Sequence, residues 1–354
     1  MESKRSSAIT LGMFDLMKGL GLIGVILEHT ITFFQISFQP LLSFNAILTN
    51  GLMPFFFFVS GFGIKKRKPL SFLQRNAKEL LLPYGLTLAS LLLFSPLCFR
   101  LLAGSWANAL PLYQKLFNAC LLGASAETAS TLVVGPIWFL LALFWGENLI
   151  NLILHLPERW QVVGVIGLIG VSQLLAAWDV WYYCLPAGCL ATGFLYLGYV
   201  AKKRKWLQRC MKWPVWLICF LLCCASLLVP RLSIHNAEAS HLLLQYPIAG
   251  GTGLFFLLCG LWMNRFNFFP FNVLRWLGRY SLWGLCAHTF ELFCIPTLLL
   301  LPWLSTPHPH MGFAALLLVR VLLTGAGCVL IVYATKWFRS HKRRMMKQKK
   351  GATV

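Results

Sequence analysis

Residues 10–35 read TLGMFDLMKGLGLIGVILEHTITFFQ. The stretch is apolar enough and long enough to cross a bilayer as one helix. It also carries Asp15, Lys18, Glu28 and His29. A charged residue near the bilayer centre costs about 2.5–3.5 kcal/mol on insertion scales, so such groups inside a span mark function. Asp15 and Lys18 stand three apart and share a helix face. Lys18 and His29 stand eleven apart, about three turns, so they also share a face, roughly 16 Å apart along the axis. The first helix therefore carries a polar seam with a cation near one end and an imidazole deeper in.

The rest of the chain agrees with a membrane setting. Of 354 residues, 58% are hydrophobic, 14% are aromatic and only 12% are charged, with mean hydropathy +0.71. That composition excludes a soluble domain and predicts an all-α polytopic membrane protein. Windows of about 20 apolar residues predict ten spans. They cover 10–35, 43–64, 79–103, 134–154, 161–178, 182–201, 213–230, 242–263, 276–301 and 312–337. They form one integral-membrane domain across 1–354, with a basic cytoplasmic tail at 338–354. MESKRSS precedes the first apolar run as in a signal peptide, but the run is too long, holds charges and lacks an A-x-A site. It is read as a retained first span.

The formal charge is +21, a value that raises nucleic-acid binding as an explanation. Its distribution points elsewhere. With the N-terminus inside, 26 of the 31 Lys and Arg fall on one side, and only Arg100, Lys115 and Arg231 on the other. This is the positive-inside pattern, and it predicts both termini in the cytoplasm. It accounts for the charge without nucleic acid and leaves HKRRMMKQKK as an anchor that touches anionic membrane lipid. The 12 cysteines lie mostly in apolar runs without a C-x-x-C pair, as small buried residues do.

Further polar groups sit in or beside the spans. Gly61 and Gly63 in the second span suit a close helix contact or a kink. Arg75 and Lys78 stand three apart at the cytoplasmic entrance to the third, as a topology signal or a phosphate clamp. The outer loop 104–133 contains an apolar stretch, QKLFNACLLGA, that lies on the membrane or re-enters it. Span four holds Glu147, Asn148 and Asn151, and spans five to eight hold Gln173 and Gln245. His288 and Glu291 are one turn apart in span nine, and Arg320 lies in the middle of span ten. An unpaired buried Arg is costly, so Glu147 or Glu291 is its expected partner. AGGTG at 249–253 lacks P-loop spacing and reads as helix packing. No H-E-x-x-H or Cys/His cluster predicts a metal site, and no G-x-S-x-G predicts a serine nucleophile. A histidine base with cations towards the cytoplasm suits acyl transfer from a phosphate-bearing donor.

At this point the chain resembles the membrane-bound acyltransferase family 3, in particular its fucose 4-O-acetylase-like sugar O-acetyltransferases. The resemblance rests on FDLMKGLGLIGVILEH, MPFFFFVSGFGI, FLQRNAKELLLPY, IWFLLALF and LGRYSLWGLCAH, in that order. Much of the family has arginine where this chain has Lys18, and Arg-x-x-Arg where it has Arg75-Asn-Ala-Lys78. Charge is kept, but the bidentate fork is lost at two positions. The resemblance implies an O-acyltransferase of the bacterial cytoplasmic membrane. It would use cytoplasmic acetyl-CoA as donor, with no bound cofactor, and a glycan or lipid-linked sugar as acceptor. It makes His29 catalytic. Lys18, Arg75 and Lys78 are expected to hold the donor, and Asp15, Glu147, Asn148, His288, Glu291 and Arg320 to serve the substrate. Intramembrane charges also suit a transporter or flippase, but no inverted repeat with broken helices supports that reading.

Overall fold

The computed structural model describes residues 2–34, 38–125, 127–209, 212–266, 268–300 and 309–351. These residues are helical almost throughout, and the extended pairing among them is one isolated bridge, Ser233 with Glu238. The helices are α1 Glu2–Phe34, α2 Gln39–Gly63, α3 Pro69–Ala103, α4 Trp106–Leu122, α5 Gly135–Ile153 and α6 Glu158–Ala177. They continue as α7 Leu185–Lys203, α8 Trp213–Ala225, α9 Leu242–Met263, α10 Phe269–Arg279, α11 Ser281–Cys294 and α12 Pro309–Gly351. Seven helices among the described residues are long and apolar enough to span a membrane.

Every apolar window coincides with a helix, but three differ from a plain span. The first, α1, holds the charges already noted. The second, α8, keeps only 13 residues of helix. The third, 276–301, is broken: α10 ends at Tyr280, whose backbone leaves helical geometry (φ −109°, ψ 21°), and α11 starts at once. The apolar part of 104–133 became α4. Ser105 caps it by accepting from the Asn108 N–H at 3.3 Å, and Gly123 ends it in a left-handed conformation (φ 56°).

Helix α3 contains a π turn at Ala77–Leu81, with the Leu82 N–H bonding Ala77 O five residues back. Pro83 follows directly and has no N–H to donate, so the wider turn absorbs the proline without a break. The extra residue also rotates what precedes it relative to the rest of α3.

In lipid, helices gain little from apolar burial against one another, so close packing of small residues holds the bundle. Gly61 of α2 and Gly198 of α7 do this reciprocally. A Cβ on Gly61 would overlap the Leu195 carbonyl, and one on Gly198 the Phe58 carbonyl. Gly63, which the sequence offered equally, has nothing near it. Helix α1 occupies the centre and packs on α2, α9, α10, α11 and α12. Its tightest contact is with α10, where Gly278 meets the Asp15 carbonyl and Gly19 the Leu274 carbonyl. The flank of α1 about a quarter turn from this contact, with Lys18 and His29, faces a cavity.

Candidate active site

The main cavity holds about 700 Å³. Lys18, Glu28 and His29 of α1 line it, so the face inferred from eleven-residue spacing is real and open. Lys18 also pairs with Asp15 (3.1 Å), which reaches Arg279 as well (3.5 Å). Asp15 thus anchors Lys18 to the α10 end of the bundle and does not line the cavity.

Behind His29 lies a buried polar network from three helices. The His288 ring lies 5.4 Å from the His29 ring, centroid to centroid. His288 Nδ1 is 3.2 Å from Glu291 Oε2. Arg320 donates through Nε to Glu291 Oε1 (3.0 Å) and through Nη2 to Oε2 (3.3 Å). Thr297 Oγ1 donates to Oε1 at 3.2 Å. Arg320 Nη1 reaches Thr30 Oγ1 at 3.2 Å, and that hydroxyl donates to Ile26 O at 2.7 Å. His288, Glu291 and Arg320 are at most 1% exposed. Such charges persist in an interior only when paired and hydrogen-bonded, and both conditions are met.

The i, i+3 spacing of His288 and Glu291 on α11 puts them on one face. An ionised carboxylate only accepts, so Glu291 assigns the proton to His288 Nδ1 and leaves a lone pair on Nε2. That Nε2 is buried and has no hydrogen-bond partner among the described residues. His29 lines the cavity and His288 does not. The sequence of groups from the cavity inward is therefore His29, His288, Glu291, Arg320.

A second cavity of about 380 Å³ is polar and lined by Lys65, Arg67, Arg75, Asn76, Glu79 and Glu147, among others. Ser60 lines both cavities and marks where they adjoin. Arg75 is held by Glu79 at 2.7 Å. Lys78 is exposed and lines neither cavity; the π turn beginning at Ala77 interrupts the phase that would have aligned it with Arg75. Glu147 belongs to this second cavity, away from His29, with Asn76 beside its carboxyl. Asn148 turns back to its own helix, donating to Phe144 O at 2.7 Å. Asn151 clamps the basic loop to α5, accepting from Arg67 N (3.0 Å) and donating to Arg67 O (3.1 Å).

A family model described as an acyltransferase domain matches residues 12–336. The chain belongs to acyltransferase family 3. The matched region takes in both cavities and the whole His29–Arg320 network, so this membrane acyltransferase has its polar interior within the family's domain. No curated protein and no solved structure matches the chain significantly.

Sequence reasoning missed one part of the acyltransferase's main cavity. Glu127, Trp138, Arg231 and His235 line it together with His29. Arg231 Nη1 stands 3.7 Å from Glu28 Oε1, and the His235 ring 6.0 Å from that of Trp138. Burial, and then the nearby Arg231 charge, hold His235 down at about 4. The available signal was Arg231 itself, one of three basic residues on the side that positive charge avoids.

Proposed function

We propose that this acyltransferase transfers acetyl from cytoplasmic acetyl-CoA to a hydroxyl of a glycan or lipid-linked sugar, with His29 as general base. The observation that carries the reading is that Lys18 and His29 line one cavity and that Ser60 lines both this cavity and a polar, Arg75-bearing one. The charge pattern supports ten spans with both ends in the cytoplasm, which puts the Arg75 cavity at the cytoplasmic mouth. CoA phosphates bind there against Arg75 and the neighbouring Lys65 and Arg67, with Lys78 adding charge from outside. The pantetheine arm runs past Ser60 and brings the thioester towards His29.

His29 takes the proton of the acceptor hydroxyl as its oxygen attacks the thioester carbonyl. The C–S bond breaks, the CoA thiolate leaves, and the proton returns to the thiolate or to water. His288 is a positioning residue: its Nε2 lone pair is oriented by Glu291, which Arg320 and Thr297 fix in turn. The His288 ring stands 5.4 Å from the His29 ring without a hydrogen bond between them, so it acts on the base by fixing where the His29 ring can sit. Membranes bearing the protein should transfer label from acetyl-CoA to glycan, and His29→Ala should not. Wild-type label transfer by His29→Ala would return the transporter reading to first place.

A further inference from the structure

Three polar side chains inside helices spend hydrogen bonds on one loop, residues 226–241 between α8 and α9. Asn50 of α2 accepts from Leu232 N at 3.4 Å. Gln173 of α6 donates to Ala237 O at 2.9 Å, and Gln245 of α9 to Pro230 O at 2.9 Å. Within the loop, Ser233 and Glu238 exchange backbone bonds at 3.2 and 3.0 Å. Leu232, Ile234 and Ala237 are buried in the main core. A polar group inside a span is expensive, and here three of them fasten one segment. The loop is therefore a fixed wall, and what it holds against the cavity is Arg231 and His235.

We propose that the end of the main cavity walled by Glu28, Glu127, Trp138, Arg231 and His235 is a binding site for an uncharged sugar ring, reached from the face opposite the basic loop. Trp138 offers an apolar ring surface for the C–H face of a pyranose. The loose Arg231–Glu28 pair, 3.7 Å apart with the Arg231 side chain 59% exposed, offers a donor fork and a two-oxygen acceptor to neighbouring hydroxyls. Charge decides the class of sugar. Two carboxylates, Glu28 and Glu127, face one guanidinium. The cavity's other cation, Lys18, stands ten residues from Glu28 along α1, roughly 15 Å away, and is paired with Asp15. His235 is neutral at pH 7 because burial holds it down at about 4. A carboxylated or phosphorylated ring would meet net negative charge, and like-charge juxtaposition is how sites reject partners. That this ring is the acyl acceptor rests on the function proposed above; that it binds does not.

The test is saturation-transfer NMR on the full chain in nanodiscs of neutral lipid, without acetyl-CoA. The probes are methyl β-D-galactopyranoside, methyl α-L-rhamnopyranoside and the anionic methyl β-D-galactopyranosiduronate. A neutral glycoside should bind, and the galacturonide should not. Arg231→Ala should weaken binding about tenfold, the scale of one hydrogen bond to a charged group, and Trp138→Ala about three- to tenfold, the scale of one lost aromatic ring contact. Arg231→Lys, which keeps charge without the fork, guards against a folding artefact and should fall between. Glu28→Gln/Glu127→Gln reverses the local balance and should admit the galacturonide. The site is overturned if no neutral glycoside binds, if the galacturonide binds the wild type equally, or if the Arg231 and Trp138 variants bind as wild type does. Glycoside binding without acetyl transfer faults the reaction; transfer without such binding faults the site.

Discussion

Glu291→Gln is the most informative single change in the buried network. The carboxylate accepts from Arg320 at 3.0 and 3.3 Å and from Thr297 at 3.2 Å, and it holds His288 Nδ1 at 3.2 Å. The amide is nearly the same size, so no cavity opens, but the charge facing Arg320 is gone. A buried guanidinium left without its counter-charge costs about 3–5 kcal/mol. That is a large share of the roughly 5–15 kcal/mol by which a folded protein typically exceeds its unfolded state. Arg320→Met should cost a similar amount by stranding Glu291. The double variant removes both charges, so its loss should fall short of the sum by about 0.5–3 kcal/mol, the range for residues in one network. The assay is thermal or denaturant unfolding of purified protein in one detergent, all four forms side by side. Acetyl transfer is read separately. The double variant should lose less stability than the two single losses added together, and it should not recover activity, because His288 still lacks its orienting acceptor. A coupling below about 0.5 kcal/mol would refute the pair as an energetic unit.

Other expectations follow from the same geometry. His29→Ala should lower acetyl transfer by about 10²–10⁴-fold at matched protein levels, and His29→Gln nearly as much; the measurement is label from acetyl-CoA on glycan. His288→Ala should lower kcat while leaving the apparent KM for acetyl-CoA in place, since His288 sits behind the cavity. Arg75→Ala should raise that KM more than Lys78→Ala, because Arg75 lines the second cavity and Lys78 does not; equal, unchanged KM values would leave the pair as a topology signal. Gly61→Val should fail to accumulate because its side chain would meet the Leu195 carbonyl, whereas Gly63→Ala should accumulate normally. Reporter fusions at positions 120, 236 and 308 should read extracytoplasmic, and those at 70, 207 and 350 cytoplasmic.

Periodicity and composition were enough for the class of fold and for the seam on α1. A face eleven residues long is a property of one helix, so Lys18 and His29 could be aligned without knowing any neighbour. The family motifs lie along the same local stretches. Partner choice is different. Arg320 needed a carboxylate, and by sequence Glu147 served as well as Glu291. The bundle settled it by packing α11 against α12 and sending Glu147 to the second cavity. Lys78 was phased with Arg75 on an ideal helix; the π turn before Pro83 removed that phase. Gln173, Gln245 and Asn50 were polar residues without a task until the fold brought one loop to all three. Glu28, next to His29 in the sequence and lining the same cavity, gained its meaning from Arg231, more than two hundred residues on in the chain. Local spacing is written in a single helix, whereas the pairing of buried charges and the seating of loops depend on which helices touch, and only the packed bundle decides that.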